Sequence, residues 1–556
     1  MTTIESRRFA LLVAAGVVGF LLYQAWEKDF APAVIPPPPS ASAPPVDDVP
    51  VAPAAPAKAA GAAAPAATQA TTAAPEQRIT VQTDVLTVVL STLGGDIRRV
   101  ELSGYPYDKK SPDQNVALLD DTNERWFVIQ SGLTGAQGPI VSHKDTYRAA
   151  TTSYALAPDA ASLDVPLEFD DGAGRHVTKT FHFERGSYLV GLKQKLHNGG
   201  AAPVSANAYV QLWRTPFPAG AEPRFSKPFM GVAIYEQKNP GESLRFRKIA
   251  FKDLVEEPVE RHQSGGWIGM LQHYFFIGVI PPAGEADTLI AKPNATRGFA
   301  AQYIGGAHDV PAGGDSEFTA QLYIGPKLQK KLADIAPGLE LTLDYGILEV
   351  IAKPLFWLLD LTHKFTQNWG FSIILLTLMV KLGLFPLSAA QFRSMAKMKK
   401  FAPRIQELKD RYGDDREKMN QAMMDLYKKE KFNPLAGCWP LLIQMPIFLA
   451  LYWVLLESVE LRQADFALWL NDLSAPDPFY VLPLLFGASM WAQQKLSGTV
   501  VADPVQQRVM SMMPVFLTVF FAFFPAGLVL YWFVSNLIGI GQQWIINRTL
   551  TKEGLR

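Results

Sequence analysis

The chain has a single cysteine, Cys438, in 556 residues, so no internal disulfide can form and no cysteine near the start offers a lipid anchor. Cys438 stands in an apolar stretch, where a lone thiol serves as a small hydrophobe. There is no excess charge of either sign. Fifty-two Lys and Arg balance 52 Asp and Glu, which excludes a generally basic nucleic-acid binder and any reading that needs a specific nucleic-acid sequence. No phosphate-binding loop of the G-x-x-x-x-G-K-S/T kind is present, so no nucleotide site is implied. His, Asp and Glu are scattered without metal-ligand spacing, so no cofactor or metal is expected. Apolar residues make up an ordinary 48%, so any membrane-spanning part must be diluted by a large soluble part.

What is present changes along the chain. Arg7 and Arg8 precede an apolar run to Trp26, about 18 residues and at the lower limit for a membrane span. Residues 1–28 read as an uncleaved signal anchor with the N-terminus in the cytoplasm. A cleaved signal peptide is the rival, weakened by Pro32 inside its best site. Residues 29–77 are rich in Ala and Pro, including Pro36 to Pro39, and read as an external tether.

From Arg78 the pattern becomes β. Ile79-Thr-Val-Gln-Thr alternates with period two, and Val85 to Leu93 is apolar and β-branched before a turn at Gly94-Gly95-Asp96. His176 to Phe183 and Tyr188 to Leu196 form another strand pair around Gly186. Short strands with Gly, Asn and Pro turns continue to about residue 335, which predicts a β-sandwich over 78–335. Trp213, Trp267 and Tyr235 fit core packing, with a ligand groove as the alternative.

Residues 346–367 are amphipathic. Ile347, Val350, Ile351, Leu355, Leu358, Leu359 and Thr362 follow helical spacing, while Glu349, Lys353, Asp360 and Lys364 forbid a span. The segment predicts a helix lying in the outer membrane interface. Spans follow at 369–387, 433–458 and 479–495. The stretch after Val505 runs about 42 residues. As one helix it would reach about 63 Å, twice a hydrocarbon core of about 30 Å. It must fold back, and Phe524-Pro525-Ala526-Gly527 is the natural turn, giving spans at 507–524 and 526–546. The loop 388–432 holds about twelve basic residues against about seven acidic ones, whereas 459–478 holds Arg462 with Glu460, Asp465, Asp472 and Asp477. Positive charge marks the first loop and the tail 547–556 as cytoplasmic, and the alternation of spans then puts the short loop 496–506 on the same side. The expectation is a polytopic α-helical membrane core of six transmembrane helices, both termini inside, with the β-domain outside.

The loop 388–432 carries two helical stripes, Phe392 to Tyr412 and Met419 to Tyr427, separated by Gly413. They predict a cytoplasmic helical hairpin. Met395, Met398, Met419, Met423 and Met424 could offer an adaptable surface to apolar client peptides, or could simply hold the hairpin together.

Lys381 falls inside the second span, where a central lysine costs about 2.5–3.5 kcal/mol. It either snorkels to the interface or lines a water-filled cavity. Thr377 lies one turn away on the same face, Gln444 sits in the third span, and Tyr531 with Ser535, and Trp532 with Asn536, put polar atoms on the sixth. Apart from Glu457 at the outer end of the third span, no Asp or Glu stands in these spans to pair with Lys381, so the cluster predicts water access.

Three long motifs around these residues are specific. Gln391-Phe-Arg-Ser-Met-Ala-Lys-Met, Asn433-Pro-Leu-Ala-Gly-Cys-Trp-Pro-Leu-Leu-Ile-Gln-Met-Pro-Ile-Phe and Gly527-Leu-Val-Leu-Tyr-Trp-Phe-Val-Ser-Asn, with Phe466-Ala-Leu-Trp, closely resemble the bacterial YidC insertases, relatives of the mitochondrial oxidase-assembly and chloroplast Albino insertases. The anchor, tether and β-domain match the Gram-negative layout. The resemblance implies an inner-membrane insertase and chaperone with a groove open to cytoplasm and lipid, and an external domain of β-supersandwich type. It implies Lys381 at the family's groove arginine, and Thr377, Gln444, Tyr531, Trp532, Ser535 and Asn536 in the groove. It also implies nascent inner-membrane proteins, the Sec translocon, ribosomes and membrane lipids as partners. Lysine keeps the charge but not the planar fork of arginine. Rival readings are an assembly chaperone that never inserts alone, a solute transporter, and a Ser/Lys hydrolase using Ser372 or Ser535.

Overall fold

A computed structural model describes residues 49–50, 75–109, 111–122, 125–136, 138–216, 229–239, 241–294, 298–412, 415–429, 439–497 and 504–552. The anchor at 1–28, nearly all of the tether, Gly413 and Cys438 lie outside the described residues, as do the side chains of Met395, Met398 and Met423. The described residues form two compact units, one ending at Leu343 and one beginning at Asp344.

In the first unit, period-two alternation builds strands whose inward side chains meet between two sheets. Arg78–Gln82 buries Ile79 and Val81 and leaves Arg78, Thr80 and Gln82 exposed. It pairs with Leu86–Ser91, which returns through Gly94 and Gly95 into Asp96–Asp108. Gly94 has φ +77°, and a Cβ there would meet the His143 backbone at 2.7 Å, so the turn requires glycine. The first sheet has twelve strands. Nine run in the order Val259–Ser264, Ala286–Pro293, Phe299–Ile304, Val204–Arg214, Phe127–Gly135, Asp96–Asp108, Leu86–Ser91, Arg78–Gln82 and Ser153–Ala155. The second has nine: Arg245–Ala250, Gly231–Glu236, Trp267–Gln272, Phe275–Ile280, Asp315–Pro326, Leu189–Asn198, Arg175–Glu184, Ser162–Asp170 and Arg148–Ala149. The expected β-sandwich is therefore present.

Its interior is not wholly apolar. Lys179, from the second sheet, is fully buried. Its ammonium donates to the carbonyls of Gly94 at 2.6 Å and Ser131 at 2.9 Å and lies over the Tyr147 ring. Asp96 faces it from the first sheet, paired with Arg98 at 3.0 Å. Such a charged cluster inside a core is tolerated only because each charge finds partners. Of the three aromatics noted above, Trp213 and Trp267 are buried. Tyr235 stacks on Trp267, and these two also line a cleft of about 1110 Å³ on the second sheet.

The second unit is helical: α1 Glu349–Thr366, α2 Trp369–Gly383, α3 Phe385–Tyr412, α4 Arg416–Lys429, α5 Trp439–Glu457, α6 Val481–Ser497, α7 Pro504–Phe521 and α8 Ala526–Lys552. α1 buries Ala352, Leu355, Phe356, Leu359 and Thr362 against α2 and α5. Ile347 and Val350, from the same predicted stripe, face outward together with Trp357 and Phe365. The helix therefore has two apolar faces, one packed and one exposed. α2 stops at Gly383 rather than running on to Leu387. A bend of 64° at Leu384 separates it from α3. Gly383 weakens the helix there, and Pro386 fits the first turn of a new helix but not the interior of an old one. Among the described helices, Ala526–Thr551 is by itself long and apolar enough to cross a bilayer, the bent pair α2–α3 passes the same test jointly, and Ile443–Glu457 and Arg508–Phe521 are shorter apolar helices.

The loop 459–478 organises one end of this unit. Asn368 caps α2 by accepting from Phe371 N–H at 3.1 Å, and its amide donates to the Phe466 carbonyl at 2.9 Å. Asp477 accepts from the N–H of Phe479 and Leu482 at the start of α6 and from Trp469 Nε1. The N–H groups of Ala526 and Gly527, opening α8, donate to the carbonyls of Ala475 and Leu473. One loop thus accepts the orphan donors at the starts of α6 and α8 and holds Asn368, the residue that caps α2. α5 enters the same loop by its C-terminus, and α7 reaches this end through the turn 522–525, where Pro525 bridges to Pro476.

Candidate functional site

The site is a polar seam running along α8 inside an otherwise apolar bundle. One stripe of α8 holds Tyr531, Ser535 and Gln542, and the adjacent stripe holds Trp532, Asn536 and Gln543, at helical spacing. Tyr531 is buried and its hydroxyl is hydrogen-bonded to the side chain of Gln444 on α5. Ser535 is buried one turn further along. Asn536 Nδ2 donates to Ser489 Oγ on α6 at 3.3 Å. Two turns on, Gln543 Nε2 donates to Ser497 Oγ at 3.1 Å.

Trp532 joins the elements rather than lining the seam. Its ring stands 4.7 Å from Phe448, 5.6 Å from Phe521 and 5.9 Å from Phe486, so one indole is packed by α5, α7 and α6. Its Nε1 is buried and has no hydrogen-bond partner.

Lys381 stands near the C-terminus of α2, half-buried. Thr377 is buried one turn earlier, and its hydroxyl donates to the Ile373 carbonyl at 2.6 Å within the same helix. What reaches Lys381 from α8 is Gln542, whose Nε2 donates to the Lys381 main-chain carbonyl at 3.1 Å, while its Oε1 is buried without a partner. Among the described residues, no hydrogen bond or ion pair joins the Lys381 ammonium to Thr377, Gln444, Tyr531, Ser535 or Asn536. The structure thus couples Gln444 with Tyr531 and Asn536 with Ser489, and leaves the charge of Lys381 for something else. Ser489, Gln542, Gln543 and Ser497 escaped the sequence reading. Helical spacing was the available signal, since Gln542 follows Ser535 by seven residues and Ser497 follows Ser489 by eight.

Ser372, the serine that a hydrolase would need, is fully buried and committed. Its hydroxyl lies 2.6 Å from Thr366 Oγ1 and 2.7 Å from the Asn368 carbonyl, at the opposite end of α2 from Lys381. Met419 is half-buried on α4, which packs against α3, and Met424 is exposed. Among the described residues, no group of three or more His, Cys, Asp or Glu is placed to hold a metal.

Two family profiles match this chain, one described as the YidC periplasmic domain over residues 78–358 and one as a 60Kd inner membrane protein over 361–553. The membrane protein insertase YidC of Nitrosococcus oceani is 42% identical over 552 residues, covering 99% of this chain and 100% of that one. That of Methylococcus capsulatus is 46% identical over 490 residues, covering 87% and 89%. Among solved structures, an active YidC insertase with its first transmembrane domain resolved is 17% identical, covers 84% of this chain and 92% of its own, and gives a TM-score of 0.37.

Proposed function

The chain belongs to the YidC family of membrane protein insertases, and on that premise we propose that it inserts and folds inner-membrane proteins, alone or with the Sec translocon, through a hydrophilic groove open to the cytoplasm. The observation that carries the reading is the seam itself. An apolar bundle with only a structural role has no use for unpartnered buried polar atoms, each costing about 1–3 kcal/mol. Here Gln542 Oε1 is left open next to Lys381, whose ammonium has no hydrogen-bond or ion-pair partner among the described residues, and Trp532 Nε1 is left open further along α8. Polar groups of a passing chain, or water that precedes it, would meet them.

In this mechanism the hydrophobic segment of a client moves along the outer faces of α5 and α7. Its short polar flank is held in the seam, where Lys381 attracts negative charge. α2 has 15 residues and α6 has 17, or about 22 and 26 Å, short of a hydrocarbon core of about 30 Å. Short spans thin the bilayer locally and reduce the distance that the flank must cross. Burial of large apolar side chains at about 1.5–3 kcal/mol each then outweighs the few kcal/mol of carrying a polar flank.

The gathering of the N-termini of α2, α6 and α8 at the acidic loop 459–478 supports a topology in which these three helices run the same way, with that loop outside and the seam closed there. Basic residues on α3, α4 and the tail favour the cytoplasm for the other end. With the anchor at 1–28 this is the six-span arrangement with cytoplasmic termini, the hairpin inside and the sandwich periplasmic. α1 would lie at the outer interface, its exposed Val350, Trp357 and Phe365 in lipid together with Ile347 just before it. Ribosomes carrying nascent chains are the proposed partners of the hairpin, with Met395, Met398, Met419 and Met423 touching clients.

The test is insertion of a small Sec-independent membrane protein in cells depleted of their own insertase and supplied with this chain. Protease protection of the client is expected. Client protection that needs an active Sec translocon in every case would instead make the protein an assembly chaperone.

A further inference from the structure

The end of the helical unit remote from the loop 459–478 carries a second polar feature, which shares Gln543 with the end of the seam. A cleft of about 290 Å³ lies between α6 and α8, lined by Leu496, Gln543, Trp544, Asn547, Arg548 and Thr551. We propose that this cleft binds the phosphodiester headgroup of an anionic phospholipid at the cytoplasmic membrane surface. The inference rests on the membrane reading given above.

Depth comes first. Trp544 lies 18 residues beyond Ala526, about 27 Å along α8. With the N-terminus of α8 held at one face of a core about 30 Å thick, Trp544 falls at the opposite interface, where tryptophan anchors gather. The side chains show the same. The Arg548 guanidinium lies 5.4 Å from the centre of the Trp544 ring, and Lys495 on α6 lies 5.4 Å from that of Trp491. Two neighbouring helices thus carry the same pairing of a basic head on an exposed indole, as snorkelling side chains do at a lipid surface.

Charge and shape decide the ligand. Among the described residues no carboxylate lines the cleft, while Arg548 offers a planar fork suited to two phosphate oxygens, and Asn547 and Thr551 add polar side chains on the same face of α8. Gln543 forms the floor. It is 4% exposed and held by Ser497, so the cleft has a fixed wall. Inorganic phosphate would satisfy the same donors. The flank favours a lipid, because Leu496, Trp544 and Ile545 are 42%, 58% and 53% exposed beside the basic groups, an apolar track for acyl chains that a free ion would not need.

The test uses the full-length protein in nanodiscs of phosphatidylcholine with a minor share of phosphatidylglycerol, the lipids retained being counted by native mass spectrometry. Entry of the protein into the disc checks the membrane reading separately, and equal leaflets remove any dependence on orientation. The native protein is expected to retain phosphatidylglycerol in preference to phosphatidylcholine. Arg548→Gln should lower that preference about tenfold, the value of a bidentate charge-assisted contact, and Arg548→Lys should lower it less. Both substitutions are at an exposed position, so folding is preserved. Entry into the disc without lipid preference, or an undiminished preference in Arg548→Gln, overturns the proposal. Loss of the bound lipid to millimolar inorganic phosphate overturns it too, by assigning the cleft to a free anion.

Discussion

The Gln542 side-chain amide donates to the main-chain carbonyl of Lys381 across 3.1 Å, so α8 holds the last turn of α2 where that helix ends. A carbonyl in the last turn of a helix has no acceptor role within it, and three residues later, at Leu384, the chain bends by 64°. Gln542 therefore fixes both the end of α2 and the position from which Lys381 projects. Replacing it by leucine, similar in volume, should cost about 1–2 kcal/mol. The expected signs are faster amide exchange over residues 382–388 and weaker client insertion at unchanged abundance. Unchanged exchange there would show that the bend is held by other contacts.

The charge of Lys381 is tested separately. Lys381→Arg keeps the charge and adds a fork, and should insert an acidic-flanked client as well as the native chain. Lys381→Ala should lose several-fold, and Lys381→Glu should lose more by repelling the same flank. A client with a neutral flank should respond weakly to all three. Equal insertion by Ala and Lys forms would remove the electrostatic step and leave burial and local thinning to act alone.

The sandwich was legible because its strands are half-buried. Ile79 and Val81 point inward and Thr80 outward, which is the period-two signal itself. Gly94 was legible as a turn because its φ suits no other residue well. The cleft beside Tyr235 was legible only as the alternative use of Tyr235 and Trp267, since its other walls come from Leu244, Gly265, Pro281 and Pro337, far apart in sequence and joined only by topology. In the helical unit, apolar runs marked the bundle and the polar residues of α8 marked its seam as far as Asn536. Gln542 lay beyond that reading, because a glutamine near the end of an apolar run looks the same whether it faces water or caps another helix. The bend at Leu384 was hidden for a similar reason, the run remaining apolar through the break while Gly383 and Pro386 decide the backbone.

Asp477 should be the least replaceable residue of the loop 459–478. It is buried, and its two oxygens accept from Phe479 N–H at 3.0 Å, Leu482 N–H at 2.7 Å and Trp469 Nε1 at 3.0 Å. Asp477→Ala removes a helix cap and strands three donors, a loss of about 2–3 kcal/mol. Asp477→Asn keeps one acceptor oxygen and should lose about half of that. Denaturant titration in detergent, followed by amide exchange of the Phe479 and Leu482 N–H groups, measures both. An Ala variant as stable as the native protein would show that water replaces the carboxylate, and that the clamp on α6 is not tight.

The buried cluster of the sandwich sets a pH dependence of definite sign. Burial pushes the Asp96 carboxyl up to about 6, with Arg98 and Lys179 opposing the shift, against 3.8 in the unfolded chain. Between these values the folded state holds a proton that the unfolded chain has released. Stability therefore falls as pH rises from about 4 to about 6 and is flat above, the full change being on the order of 3 kcal/mol. Asp287, raised to about 7 by burial, adds a fall in the same direction that extends one unit higher. Burial lowers Lys179 to about 8, so its contribution runs the other way and only at higher pH, stability rising from about 8 to 10.5. The quantity to measure is the opening free energy of strand Phe127–Gly135 in the full-length protein, from amide exchange corrected for its intrinsic pH dependence. Asp96→Asn mimics the protonated carboxyl, so it should lie nearest the native protein in stability at about pH 4, and its slope between pH 4 and 6 should shrink markedly. A slope unchanged by the substitution would mean that Asp96 stays ionised throughout that range, its pairing with Arg98 outweighing the effect of burial.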